Sequence, residues 1–518
     1  MNPESIHIST KNSILTGLKY IFYTGINFLL GIPNYVFYTL LFISLLIVDY
    51  YNFNLNPDTS IQLHTLKNFV AGNGISLTSI DANNAVIYQP VSLWPAGLVI
   101  FLTPFYLITK STVTSALILK LFSNLFFILF LSKYLNYLKL ENHKKKFIIF
   151  FFVVSIAPFV EFYFSDTIAT VLCLWGFYFN LKYQDNNRYS NLLLSIFLLA
   201  ISYFVKYSFL PFLFYPVLSF IFKEKLKAFK KLKQFIIIIS ATIALGLFFY
   251  YINSLLVGKM QMKTTLDAFE GNPHWNQLSR FDGFLFTFGI YEWVFQNLIR
   301  DHLGFNMQFN WISILVTLYF YIIFIKIFLK RNKEAIIPSR LNSINISLSA
   351  GALIMLFLSF LTINNPGQTW VKPYWTFVEE TRYYGPVIVI GLINVLIIFL
   401  AQRKHSLLHI IIPLMFVFNL YAYRTVIQSG FWGKNYKYYT NIKKNVSDAM
   451  PENNDSKLAV VFFDKATKNS DQYYYLQSQG IILLDKSNSH TDNQNKNKFD
   501  YYSLRQDSTN TIKISPNN

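Results

Sequence analysis

The stretch VSLWPAGLVIFLTPFYLIT, residues 91–109, decides how the chain is threaded. It is apolar almost throughout and long enough to cross a bilayer, which takes about 20 residues. It also holds Pro95 and Pro104, and Pro90 precedes it. If it crosses, every later loop changes sides. The lysines choose between the two threadings, because basic residues collect in cytoplasmic loops. Without a crossing at 91–109, the segments 139–146 (KLENHKKK), 182–188 (KYQDNNR), 223–233 (KEKLKAFKKLK), 326–340 (KIFLKRNKEAIIPSR) and 402–405 (QRKH) share one side. With it, and with the N-terminus in the cytoplasm, these lysine-bearing segments face outward. Residues 91–109 are therefore expected to form a juxtamembrane or re-entrant helix inside one outer loop.

The rest of the composition agrees with a polytopic membrane protein. The 518 residues are 53% hydrophobic and only 14% charged, a balance unusual for a soluble chain of that length. The formal net charge of +19 is explained by the lysine-rich loops, so no nucleic acid is expected as a partner. Cys173 is the lone cysteine, which excludes an internal disulfide and a cysteine zinc cluster. The polar start MNPESIHISTKNS lacks a cleavable-signal pattern.

About eleven spans are expected, near 34–50, 112–137, 147–161, 167–183, 190–205, 208–222, 234–256, 309–328, 343–363, 385–401 and 406–424. Residues 13–32 read as an amphipathic helix on the membrane surface. The fold class is thus an all-α polytopic membrane protein with juxtamembrane helices in the first outer loop and a small α/β C-terminal region. A transmembrane domain covers 1–424, with outer loops at 51–111, 257–308 and 364–384. An extracytoplasmic region covers 425–518, with strand-like 457–463 and 481–484 around a helix, and a polar tail. The N-terminus is expected in the cytoplasm and the C-terminus outside.

The outer loops hold most of the isolated acids. Asp58 opens the segment NPDTSIQLHTLKNFVAGNGIS, 56–76, where Ile61, Leu66, Phe69 and Val70 recur at helical spacing and Gly72 and Gly74 can stop the helix. This segment reads as a short amphipathic helix lying flat on the outer surface. Asp58 either caps it or serves as a general base where a lipid-borne substrate meets an outside acceptor. YQPVSLWPAG (88–97) follows, with Trp94 suited to an interface.

The order of these motifs resembles that of GT-C-type glycosyltransferases: a span, an Asp, a helix closing in G.G, YQP…WPAGL, and an apolar juxtamembrane run. The group includes protein O-mannosyltransferases, aminoarabinose transferases of lipid A and oligosaccharyltransferases. The likeness covers roughly the first 210 residues, with a weaker echo in EETRYYGPV, 379–387. The resemblance implies a catalytic carboxylate in the first outer loop, matched by Asp58, and a sugar donor carried on polyprenyl phosphate. The sequence departs from the pattern in having PDTSIQ where many relatives have paired acids, and WPAGL where PPG or PPL is usual.

Further residues fit such a site. Glu161 and Asp166 flank the turn of APFVEFYFSD, where relatives keep an acid near the site; they could bind a divalent metal ion or the acceptor, or Asp166 could cap a helix. Lys206, at the outer end of a span, suits a phosphate headgroup or snorkels to the interface. Arg382, beside Tyr383, suits a phosphate held bidentately or an ion pair with Glu379 or Glu380. His274 and Trp275 lie in an aromatic loop suited to sugar stacking; His274 and His302 are not at a metal-ligand spacing.

The reading is inverting transfer of a sugar to an acceptor hydroxyl of a glycan, lipid or protein, beside membrane lipids, with Asp58 as base and no cofactor demanded. Its rivals are a transporter or flippase of lipid-linked saccharides, a polymerase or ligase, and a non-catalytic scaffold. A transporter would place its charges at mid-membrane in two matched halves.

Overall fold

The computed structural model describes residues 31–51, 53, 55, 57–81, 85–91, 94–154, 164–224, 231–257, 362–364, 374–376, 381–401, 436–449, 458–463, 471–485, 499–506 and 512–516, with isolated residues elsewhere. The expected spans 309–328, 343–363 and 406–424, the surface helix 13–32 and the loop 257–308 fall essentially outside them.

The structure is mostly helical. Among the described residues, three helices are long and apolar enough to cross a membrane: α1 (Asn34–Tyr51), α4 (Thr112–Tyr137) and α9 (Leu232–Val257). Between α1 and α4 lie α2 (Pro57–Val70) and α3 (Gly97–Thr109). After α4 come α5 (Asn142–Val154), α6 (Phe164–Asn186), α7 (Tyr189–Val205) and α8 (Tyr215–Glu224), and after α9, α10 (Gly385–Ala401).

Side-chain pairs near the helix ends show how the chain alternates. Asn142 donates to Asn34 at 3.2 Å and Lys146 Nζ donates to the Ile32 carbonyl at 2.5 Å, so the start of α5 sits at the start of α1. Phe147 packs against Phe399 at 6.2 Å, which brings the end of α10 there too. Near the other end of α1, Asp49 meets Asn124 at the middle of α4, and α4 ends beside the start of α5, so α4 runs antiparallel to α1 and begins beyond its end. The chain thus leaves α1 and enters α4 at the same end of the bundle. The turn at 138–141 with the first residues of α5, the turn after α6 and the start of α9 form the opposite, lysine-bearing end, where Lys182 stands over the Tyr137 ring and Gln234 donates to the Tyr183 hydroxyl.

Residues 91–109 yield only the helix α3, about 20 Å long at 1.5 Å per residue, against a hydrocarbon core of about 30 Å. Lys110 closes it in the left-handed region, φ 52°, and Ser111 starts α4 by accepting from the Thr114 N–H at 3.3 Å.

The expected span 208–222 is not one helix. It divides into a 3-10 turn at Tyr207–Phe209, a short helix at Leu210–Leu213, and α8. Pro216 supplies no N–H, so the ladder breaks ahead of it; Pro211 fits because a first turn needs no donor.

The α6–α7 pair is closely packed. Ser195 Oγ donates to the Gly176 carbonyl at 2.7 Å, and a Cβ on Gly176 would meet Leu199 Cγ at 2.7 Å. Small residues at the crossing let the two backbones approach. Outward, the bundle exposes Leu40, Ile43, Phe122, Phe126, Leu129, Leu193, Leu247, Phe248 and Leu255. Such an apolar belt suits lipid rather than water.

Two smaller elements join α2. A hairpin of β1 (Ser76–Ile80) and β2 (Val86–Pro90) follows it; both strands escape a reading by apolar periodicity. Strands β3 (Thr362–Asn364) and β4 (Tyr374–Thr376) pair separately. Past α11 (Tyr436–Ala449), the strands β5 (Leu458–Phe463), β6 (Ile482–Asp485), β7 (Phe499–Gln506) and β8 (Ile512–Pro516) form a sheet in the order β6-β5-β7-β8. β5 is parallel to β6 and β7, and α12 (Asp471–Ser478) connects β5 to β6.

Candidate functional site

Three helix ends meet around one buried ion pair. Asp166 lies in the first turn of α6, and Lys206 follows the last residue of α7. Lys206 Nζ is 2.9 Å from Asp166 Oδ1, and both side chains are buried. The third end is the 3-10 turn Thr381–Tyr384 that leads into α10; the Tyr383 ring centroid is 5.6 Å from Lys206 Nζ. The placement follows from the helices: an acid is favoured at an N-terminus and a cation at a C-terminus. At Lys206 the backbone turns extended (φ −146°, ψ 116°), and its own N–H still donates to the Ser202 carbonyl at 3.0 Å.

A second layer fixes this break. Asn253 of α9 accepts from the Ala96 N–H at 2.8 Å and donates to the Tyr207 hydroxyl at 2.5 Å. One amide thus ties the WPAG turn to the residue after Lys206. Gly97 lies against the end of α7 so closely that a Cβ there would be 2.4 Å from the Phe204 carbonyl oxygen. The position requires glycine for clearance rather than for an unusual φ.

Close by is a second buried acid–base pair. Asp49, near the end of α1, accepts from Asn124 Nδ2 at 2.7 Å, and Lys120 Nζ lies 3.8 Å from its Oδ1. Lys120 Nζ also stands 5.7 Å from the Phe164 ring. Phe164 packs on Phe53 at 5.4 Å, and Phe53 packs on Tyr439 of α11 at 5.7 Å. This aromatic chain runs from the start of α6 to the segment that enters α2.

Helix α2 does not lie flat on a membrane surface. Thr59, Ser60, Gln62, Leu63, His64, Thr65 and Leu66 are all buried, so it is enclosed by protein on most of its circumference. α3, α4, β1 and α12 pack against it. Its sparse apolar set, Leu63 and Leu66, faces the core, while Ser60, His64, Thr65 and Asn68 of its polar set are hydrogen-bonded. His64 Nε2 is 3.2 Å from Thr78 Oγ1 of β1, and Asn68 donates to the Ser76 carbonyl at 2.7 Å. Burial pushes the His64 imidazole down to about 4, with nearby Lys67 adding to the effect. Asp58 is half-buried in the first turn of this helix.

Of the residues singled out from sequence, Asp166, Lys206 and Tyr383 come together. Arg382 is in the same turn as Tyr383. Trp94 is half-buried against the apolar core, two residues before the amide held by Asn253. Lys206 does not snorkel, because Asp166 neutralises it in the interior; by the same contact Asp166 is an ion-pair partner rather than simply a cap. Glu161 and His274 lie outside the described residues. Among the described residues, no three His, Cys, Asp or Glu side chains gather where a metal ion could be held. The Asp49–Lys120 pair was missed as a pair, although each is a lone charge in an apolar run, which is itself the signal of a partner.

No protein-family model matches the sequence, and no curated protein matches it significantly. The class defined by fold and site is therefore a helical membrane protein with a buried Lys–Asp pair at the meeting of three helix ends.

Proposed function

We propose that the chain is an integral membrane glycosyltransferase that moves a sugar from a polyprenyl-phosphate carrier to an acceptor hydroxyl, with inversion, at the extracytoplasmic face of the cytoplasmic membrane. The observation that carries this reading is the Lys206–Asp166 pair, backed by Tyr383, at the end of the bundle opposite the lysine-bearing turns. A buried ammonium held by a carboxylate has donors left for an arriving phosphate, so it can take on the second acceptor while still pairing the first. By the positive-inside rule the lysine-bearing end faces the cytoplasm, which puts the pair and Asp58 outside. The full set of about eleven spans and an extracytoplasmic C-terminal region belong to the same proposal.

In the reaction the acceptor oxygen attacks the anomeric carbon as Asp58 takes the hydroxyl proton. The bond to the carrier's phosphate oxygen breaks on the opposite face, and polyprenyl phosphate leaves with the electron pair. Lys206 and Arg382 offset the charge that develops on the phosphate. Geometry that holds acceptor and donor in line supplies the rest of the acceleration.

The test is a lipid extract of cells carrying Asp58→Asn at wild-type protein level. Accumulation of one polyprenyl-phosphate-linked sugar, with loss of a glycosylated product, is the expected result. Normal product with no accumulated donor overturns the base assignment. The buried Asp49–Lys120 pair favours one rival, a carrier of lipid-linked saccharides, since charges inside apolar helices mark transport paths. A carrier would move the labelled lipid across proteoliposomes without changing its composition.

A further inference from the structure

The C-terminal segment reaches the helix of Asp58 at several points. Tyr439 of α11 accepts a hydrogen bond from the Leu55 N–H at 2.9 Å, in the short connector before α2. Gln477 of α12 accepts from the Ser60 hydroxyl at 2.6 Å, in the first turn of α2. Lys67 donates to the Gln479 carbonyl at 2.6 Å, near the other end of that helix. The Gln479 side chain donates to Thr112 Oγ1 at 2.8 Å, at the start of α4. Ile80 and Val86 of the hairpin pack on Val460 and Ile482 of the C-terminal sheet.

The contact is built rather than incidental. Just past α12 stands Gly480, φ 74°, where the Ile481 N–H returns to the Leu476 carbonyl at 3.2 Å and the Gly480 N–H to the Gln477 carbonyl at 3.0 Å. This left-handed stop turns the chain away within a residue. It also clears the surface: a Cβ on Gly480 would lie 3.3 Å from Lys67 Cδ. Leu55, Ser60 and Tyr439 are buried, so the bonds at Asp58's end of α2 are made away from water. Asp58 lies between the two contact points, three residues after Leu55 and two before Ser60.

We propose that the C-terminal segment is a positioning part of the site: Tyr439 and Gln477 clamp the chain on either side of Asp58 and fix where its carboxylate stands. The catalytic consequence rests on Asp58 being the base. The clamp itself does not.

Two measurements separate these. In the first, Asp58→Cys is made in a Cys173→Ala background, since Cys173 is the lone cysteine and is buried. Its rate of modification by a maleimide is then compared with and without Tyr439→Phe and Gln477→Leu. The expected result is modification several-fold faster when the clamp is opened; an unchanged rate overturns the proposal. In the second, sugar transfer is measured for Tyr439→Phe, which keeps the ring against Phe53, and for Gln477→Leu and Gln477→Glu. The expected result is a kcat about tenfold lower for the first two at unchanged donor KM, because a displaced general base costs rate rather than binding. Gln477→Glu, which can still accept from Ser60, is expected to regain most of the rate. A kcat equal to wild type overturns the positioning role, and so does a rise in KM alone, which would make the segment a substrate contact. If wild-type protein transfers no sugar while the opened clamp still speeds modification, the proposed function fails and the clamp stands.

Discussion

Lys206 Nζ and Asp166 Oδ1 stand 2.9 Å apart with both side chains buried, and neither charge can be removed singly without stranding the other. Lys206→Met is expected to cost about 3–5 kcal/mol of stability, because it leaves a buried carboxylate uncompensated. The double variant Lys206→Met/Asp166→Leu is expected to recover most of that loss. Detergent-solubilised protein followed by fluorescence-detected size exclusion after heating measures both. If the pair serves a phosphate, the double variant folds but fails to use the lipid-linked donor. Full transfer by the double variant would leave the pair purely structural.

Gly97→Ala should be the most costly small substitution in the first loop. A methyl there must displace the Phe204 carbonyl, since it would otherwise sit 2.4 Å from the oxygen. Overpacking of this kind typically costs about 1–3 kcal/mol. The expected reading is a lower unfolding temperature together with weaker sugar transfer under the proposed function, because the displaced residues adjoin Lys206. An unfolding temperature equal to wild type would mean that α3 slides freely against α7.

Asn253→Ala removes one acceptor and one donor at once, from the Ala96 N–H and the Tyr207 hydroxyl. Unpaired buried groups cost about 1–3 kcal/mol each. The expected outcome is a fall in stability similar to that of Gly97→Ala and, under the proposed function, a weakened response of sugar transfer to donor concentration. Asn253→Asp, which keeps the acceptor, is expected to lie between. A ranking with Asp below Ala would show that the Ala96 bond contributes little.

The His64 imidazole, held down to about 4 by burial and by Lys67, gives a pH dependence with a definite sign. Its unfolded value is about 6.5. The folded state binds the proton less readily, so its contribution is complete above about pH 6.5 and is lost progressively as pH falls toward 4. The loss proceeds at no more than about 1.4 kcal/mol per pH unit and levels off below the folded value. Thermal unfolding of wild type between pH 7 and 4, compared with His64→Gln, isolates the term. A flat difference between the two proteins across that window removes His64 as its source.

The three long apolar helices were legible because length and apolarity outweigh every local detail: 34–50, 112–137 and 234–256 correspond to α1, α4 and α9. The stop at Gly72 was legible too, as a glycine at φ 86° closing α2. The break within 208–222 is written in Pro211 and Pro216, but an apolar count ignores a missing N–H. The hairpin 76–80/86–90 was hidden by its own composition, SLTSI and VIYQP, whose half-buried faces carry no clean alternation. At the site, Asp166, Lys206 and Tyr383 each stood out singly as polar groups at span ends. Their convergence depends on where α6, α7 and α10 end relative to one another, which no local period encodes. The same holds for the enclosure of α2, whose partners Tyr439 and Gln477 lie at the far end of the chain.

That separation bears on how the protein is made. The Ser60–Gln477 bond joins residues 417 apart, and the bond to Tyr439 spans 384. At a synthesis rate of about 5–20 residues per second, Ser60 emerges roughly 20–80 s before Gln477 exists. Throughout that interval the buried polar face of α2, with Ser60, Gln62 and Thr65, has water or a chaperone for company rather than α12. The contact between α2 and α12 therefore waits for nearly the whole chain, and a ribosome that stops short of Gln477 releases a protein in which it has never formed.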